Sequence, residues 1–294
     1  MFRNIFSKRM AKKTAIGLGI TLVLAAALIT IKDEFFYQFF SYDNGSEGVA
    51  SQDSGGCSES GNVALVKIHG SIVNYKLTPE EDPNSNYDPD SVASEAVVKN
   101  LDDIAKDDQI KGIIVEIDSS GGIPEAAEEI MNALLASTKP VAAYIRQSGD
   151  SAAYMIATAA DKIYAGRMSD VGGIGVTMSY LDNAIKNKTD GLTYNQLSTG
   201  KFKDTGDPDK SLTAEEKSYL MSDLEKAHQV FVEFVAKNRN MDIDEVKKLA
   251  DGSSMIAQDA KDAGLIDGIG GLNEAEAYLK GKIGSEVAAC DYGK

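Results

Sequence analysis

The chain opens on one unbroken apolar run and then alternates short β-branched runs with amphipathic stretches. Thr14 to Ile31 is uncharged and apolar throughout, close to the ~20 residues a helix needs to cross a bilayer. Ser41 to Gly61 is rich in Ser, Gly, Asp and Asn and reads as a flexible tether. Val63 to Ile68 is β-branched and weakly alternating, a first strand that His69-Gly70 ends. Tyr75 to Asp90 carries three prolines and many acids; it reads equally as a disordered insertion or as a functional flap.

Ser91 is placed to cap a helix whose apolar residues Val92, Ala96, Val97, Leu101 and Ile104 recur at helical spacing. Gly112 to Ile117 is a short continuous apolar run, the pattern of a central parallel strand. Asp118-Ser119-Ser120-Gly121-Gly122 follows, then a helix from Pro124 to Ala136, with proline in its first turn. Val141 to Ile145 is the next strand. It leads through Ser148-Gly149-Asp150-Ser151 into a small-residue helix, Ala152 to Ala160. Lys162 to Tyr164 and Ser169 to Val176 read as further strands, and Leu192 to Leu197 as another. A long helix spans about Thr213 to Asn238, with Thr213 and Glu216 spaced as a capping box. His228 falls within it as a surface or interface histidine rather than a base. Asp242 to Leu249 and Ala257 to Ala263 are shorter helices.

Alternating strands and helices predict an α/β fold on a mostly parallel sheet with right-handed crossovers. The organisation reads as a basic segment 1–13, a membrane anchor 14–31, a linker 32–61, a folded domain 62–283 and a tail 284–294.

Charge sharpens this picture. Arg3, Lys8, Arg9, Lys12 and Lys13 precede the apolar run without an acid, while the whole chain carries a net charge of −15. The positive-inside rule therefore puts the N-terminus in the cytoplasm and the body outside, at the cell membrane. A cleaved signal peptide is the competing reading, since Ala25-Ala26-Ala27 supplies small residues; the length of the run favours an uncleaved anchor. So acidic a body argues against nucleic acid as a partner. The two histidines and two cysteines are scattered, without zinc-ligand spacing, and no cofactor or metal is expected. Outside the cytoplasm Cys57 and Cys290 could pair; the sequence leaves that open.

Ser151 stands at a strand-to-helix corner. The ordinary role of serine there is a helix cap. The alternative role is a nucleophile, whose alkoxide the helix mouth would favour. A nucleophile needs a base within reach. His69 and His228 sit in no site-like turn. Lys203, after a Thr-Gly turn and before Asp-Thr-Gly, is the candidate, because desolvation can leave a lysine neutral enough to take a proton. Ser120-Gly121-Gly122 could offer N–H groups to an oxyanion, or simply form a tight turn.

The ordered set of Ser-Gly-Gly after a strand, Ser151-Ala152-Ala153-Tyr154, Gly172-Gly173-Ile174-Gly175-Val176, Gly200 with Lys203-Asp204, and Ala260 through Gly271 resembles the signal peptide peptidase A family over roughly residues 62–280. The resemblance implies a Clp-protease/crotonase-like fold, a repeated β-β-α spiral, behind one N-terminal transmembrane helix. It also implies a Ser-Lys serine peptidase with Ser151 as nucleophile, Lys203 as general base and Gly122 in the oxyanion hole. Residual signal peptides or unfolded apolar polypeptides would be the substrates, and a homo-oligomeric ring, an octamer in the short form, the assembly. The chain departs from the family in having Asp150 before the serine. It also has Gly173 where the family has a serine that bonds the lysine, a part Ser169 or water would then take. Two other classes stay open: a catalytically silent membrane-tethered scaffold of the same fold, and a crotonase-like acyl-CoA enzyme.

Overall fold

A computed structural model describes Cys57 and residues 61–77 and 88–292. The expected anchor 14–31 and most of the tether lie outside the described residues. Among the described residues, no helix is long and apolar enough to cross a membrane.

Strands β1 (Val63–His69), β4 (Gly112–Ser119), β5 (Val141–Asp150), β6 (Lys162–Ala165) and β9 (Gly268–Ile269) form a parallel sheet. Within the expected tail, β10 (Ala289–Asp291) adds to the edge of β1, Val63 opposite Ala289. The pair β2 (Ile72–Val73) and β3 (Val92–Ala93) stands apart from this sheet. The short β7 (Asp170–Gly172) pairs with the far end of β5 and, antiparallel, with β8 (Ser254–Ile256). The fold is thus α/β and mostly parallel, as the alternation of runs required.

The central strands are buried on both faces, which is why they read as continuous apolar runs. Ile113, Val115 and Ile117 point one way, into the main core beneath α1 (Ser94–Lys106), α2 (Pro124–Leu135) and α3 (Ala152–Ala157). Ile114, Ala142 and Tyr144 point the other way, under α8 (Leu272–Ile283), which buries Ala275 and Leu279 on them. Glu116 is buried on that second face. It accepts hydrogen bonds from the Tyr144 hydroxyl and from Arg146 Nη1, the latter at 2.9 Å. Burial alone would push its carboxyl up, but these donors and the Arg146 charge outweigh it and hold the group below the usual carboxylate range.

Three expectations are corrected. Ser91 does not cap α1. Its hydroxyl donates to Asp88 O at 2.7 Å, and residues 92 and 93 pair with β2 before the helix begins behind Ala93. Leu192 to Leu197 is not a strand, because no strand among the described residues offers it a ladder. Ser169 to Val176 is strand only over β7. The chain leaves the ladder at Gly173, where φ is +55°, a value L side chains rarely adopt. The capping box on α5 (Ala214–Arg239) is present as expected, Glu216 N–H donating to Thr213 Oγ1 at 3.1 Å and Thr213 N–H to Glu216 Oε2 at 2.9 Å. Helices α4 (Ala184–Thr189), α6 (Ile243–Leu249) and α7 (Ala257–Asp262) complete the described elements.

Cys57 and Cys290 form a disulfide, Cα to Cα 5.5 Å. It ties Cys57 to the edge strand β10.

Candidate active site

The site begins with the backbone of Ser151. Its φ of 54° and ψ of −125° place it between the end of β5 and the start of α3 in a conformation that is strained for any residue but glycine. Such strain costs on the order of 1–3 kcal/mol and persists only where the surroundings enforce it. Here they do. Ser151 N–H donates to Gly172 O at 2.8 Å, and its own carbonyl accepts from Met155 N–H at 3.0 Å. Its hydroxyl makes no capping bond to α3, so the capping role is not the one it plays. A strained strand-to-helix corner that presents an uncommitted hydroxyl is the geometry of a nucleophile.

The glycine turn packs directly on that corner. A methyl built on Gly121, whose φ is +113°, would stand 2.9 Å from Ser151 Cβ and 3.2 Å from Ala152 N. The next residue, Gly122, lies against β2. Ile72 N–H donates to Gly121 O at 3.0 Å, and Ile72 O accepts from Ile123 N–H at 2.8 Å. In such a parallel bridge the two bonds belong to Ile72, so the N–H of Gly122 faces away from β2. It has no hydrogen-bond partner among the described residues. The structure therefore brings Ser151 and the Gly121-Gly122 turn together.

Ser151 opens onto a cavity of about 700 Å³. One wall is Ser120, Asp150, Gly173 and Ser254; the other is Met221, Leu224, Glu225 and His228 of α5, with Asp251 below. Gly122 itself is not among the lining residues. Asp251 is held below the usual carboxylate range, first by the Ser253 hydroxyl and then by Ser253 N–H at 2.9 Å. Asp150 Oδ2 accepts from Ser148 Oγ at 2.6 Å, while Oδ1 is sealed from solvent without a partner. Among the described residues no lysine or arginine lines the cavity, while Asp150, Glu225 and Asp251 do.

Lys203 is not brought to Ser151. It lies exposed on the segment between β7 and α5, outside the cavity lining. No residue from 175 to 215 is buried, so nothing among the described residues draws this segment inward. His228, read from sequence as a surface or interface histidine, is instead part of the cavity wall, with Nε2 sealed and unpartnered. The signal was available: Met221, Leu224, Glu225 and His228 fall at i, i+3, i+4 and i+7, one face of the helix. His69 sits 2.8 Å from Glu116 Oε1 at the end of β1, away from the cavity. Ser169, the expected stand-in partner for the lysine, donates its hydroxyl to Arg146 O at 2.6 Å and is buried. Among the described residues, no group of His, Cys, Asp and Glu is arranged to hold a metal.

A hydroxyl on a strained corner beside a glycine turn with a free N–H defines a site of the acyl-transfer class. The sequence pattern of peptidase family S49 matches residues 133–285, and the chain belongs to that family, which bears out the resemblance to signal peptide peptidase A. Among similar proteins, one of Methanocaldococcus jannaschii named "Putative protease MJ0651" is 37% identical over 61% of this chain. "Serine protease SPPA, chloroplastic" of Arabidopsis thaliana is 30% identical over 75%, and "Putative signal peptide peptidase SppA" of Enterococcus faecium 32% identical over 61%. The matched regions span 58%, 32% and 53% of those proteins' own lengths.

Proposed function

We propose that the protein is a membrane-anchored serine endopeptidase that works outside the cytoplasm through a Ser-Lys dyad, on a Clp-protease/crotonase-like form of the α/β fold. Its substrates are residual signal peptides or other unfolded apolar polypeptides. The observation that carries this reading is Ser151, strained at φ 54°, uncapped, and packed on the Gly121-Gly122 turn at the edge of a large cavity. Ser151 Oγ attacks the peptide carbonyl. The neutral amine of Lys203 takes the hydroxyl proton and returns it to the leaving amine. The N–H of Gly122 steadies the oxyanion. The disulfide supports an oxidising compartment for the domain, in keeping with an N-terminus in the cytoplasm and the body beyond the membrane.

A second copy of the chain completes the dyad in this reading. The segment that carries Lys203 exposes Leu197 by 98%, Ile185 by 84% and Leu181 by 80%, a density of bare apolar side chains that association would cover. A homo-oligomeric ring, an octamer by family resemblance, would lay that segment on a neighbour and bring its lysine to the neighbour's Ser151.

One observation favours a second reading of the base: His228 lines the cavity of its own Ser151, and Lys203 does not. The experiment treats the full chain with a serine-directed phosphonate and follows turnover of a denatured protein. The expected result is label on Ser151, and loss of turnover by on the order of 10³-fold or more in Ser151→Ala and Lys203→Ala, with Lys201→Ala unaffected. Loss in His228→Ala with full activity in Lys203→Ala would transfer the base to His228. An unlabelled wild-type chain without turnover would leave the silent scaffold.

A further inference from the structure

The wall of the cavity beside Gly173 holds a gap that only glycine leaves open. A methyl group on residue 173 would stand 3.1 Å from Ser151 N, 3.2 Å from Asp150 Cβ and 3.4 Å from Ser254 Oγ. The backbone there has φ +55°, so a side chain would be strained as well as crowded. The same small volume is thus bounded by the nucleophile's own backbone, a carboxylate residue and a hydroxyl. Ser254 Oγ has no hydrogen-bond partner among the described residues. Asp150 Oδ1 is sealed and unpartnered while Oδ2 is fixed by Ser148. A buried carboxylate oxygen without a donor costs free energy, and rotation about the broad terminal torsion of aspartate, which exchanges the Ser148 bond for the new donor, turns it into the gap.

We propose that this gap is an amine-binding site, in which Asp150 and Ser254 hold the side-chain nitrogen that serves Ser151 as base. The inference rests on Lys203 being that base. The amine arrives as an ammonium, donates to Asp150 Oδ1 and Ser254 Oγ, and lies beside the residue whose proton it must take. It becomes a base only after losing one proton to solvent. It then accepts the Ser151 hydroxyl proton as the Oγ–carbon bond forms and gives that proton to the leaving amine as the carbon–nitrogen bond breaks. Asp150 touches no reacting atom, so it is a positioning residue. The arrangement has a consequence for acidity. A carboxylate beside the ammonium favours the charged form, so activity should rise only toward alkaline pH. The other titratable groups facing the cavity are Glu225 and His228 from α5 and Asp251 from the loop after α6.

The test compares kcat/KM against pH for the full-length wild type, Asp150→Asn and Ser254→Ala, with thermal melting to confirm folding. Asp150→Asn is expected to move the acid limb to lower pH by about one unit or more and to lower the plateau about tenfold. Ser254→Ala should lower the plateau with a smaller shift of the limb. A second arm adds methylamine to Lys203→Ala. Partial turnover should return, and should fail to return when Asp150→Asn or Gly173→Ala is added. An unmoved limb in Asp150→Asn, or amine rescue that ignores both second changes, overturns the amine site while leaving Lys203 as the base. Full activity in Lys203→Ala without added amine overturns the Lys203 reading and this inference with it.

Discussion

Replacing Gly122 by alanine should damage fold and chemistry together, in proportions that the geometry sets. The added methyl would fall 2.1 Å from Ile72 O and 2.6 Å from Ile72 N. Its place is fixed by the backbone, so no rotamer relieves the overlap, and β2 must part from the turn. That breaks the bonds from Ile72 N–H to Gly121 O and from Ile123 N–H to Ile72 O. At about 1 kcal/mol for each bond, and more where a buried group is left unpaired, the loss is about 2–4 kcal/mol. For a domain of this size that is a fall in Tm of about 5–15 °C. The chemical effect follows from the same movement. Displacing one oxyanion donor costs about 10²–10³ in kcat, and KM should change far less, because the donor acts on charge that develops only in the transition state. Calorimetry paired with steady-state turnover of a denatured protein separates the two. A large fall in Tm with kcat within threefold of wild type would falsify the oxyanion role of Gly122. An unchanged Tm would show that β2 does not seat on the turn.

Removing the disulfide by Cys57→Ser or Cys290→Ser should destabilise the domain by about 2–4 kcal/mol, with limited proteolysis cutting first around β10; equal urea midpoints in wild type and variant would contradict this. Asp267 is pushed up by burial, but Lys162 at 2.8 Å, the Ile163 N–H and Arg239 at 3.0 Å outweigh that and hold it below its ordinary value. Its stabilising contribution is therefore full above the unfolded value of about 4 and is lost as pH falls through it toward the folded value. Urea midpoints should drop between about pH 5 and pH 3, and Asp267→Asn should flatten that drop; parallel curves would refute it. Leu197→Asp, on a side chain 98% exposed, should leave the melting of the single chain unchanged yet shift the assembly toward monomer in analytical ultracentrifugation, with turnover falling in step. Assembly and turnover both unaltered would remove the association argument.

What was legible in the sequence follows from what one chain buries. β4 and β5 read as continuous apolar runs because both of their faces are covered, and Ser151 stood out because a strand and a helix meet at it. The Thr213 and Glu216 spacing was enough to place the start of α5, since a capping box is a local device. α8 was invisible for the opposite reason. It is capped by Gly271, contains Gly281, and buries only Ala275 and Leu279, so its position is decided by a sheet face far away in sequence. β2 and β3 are too short to carry a period, and they took Val92 and Ala93 from the expected helix. His228 was read as a surface or interface residue without its place on the cavity wall, because a helical stripe looks the same whether it faces a core or a cavity.

The one stretch where pattern and structure part most widely is 175–215, and there the reason is physical. Apolar side chains such as Leu181, Ile185 and Leu197 predict burial, yet the described residues supply nothing to cover them. The same stretch carries Lys203, whose chemistry also predicts desolvation, and leaves it in solvent. Two independent expectations, one from packing and one from proton transfer, fail at the same place and in the same direction. On the proposed assembly a single omission accounts for both: the surface that would bury the stretch would belong to another molecule. If covering Leu197 is what strips water from Lys203, association and catalysis draw on the same contacts. The enzyme would then be silent as a monomer, and the proposed ring would hold its peptidase inactive until assembly.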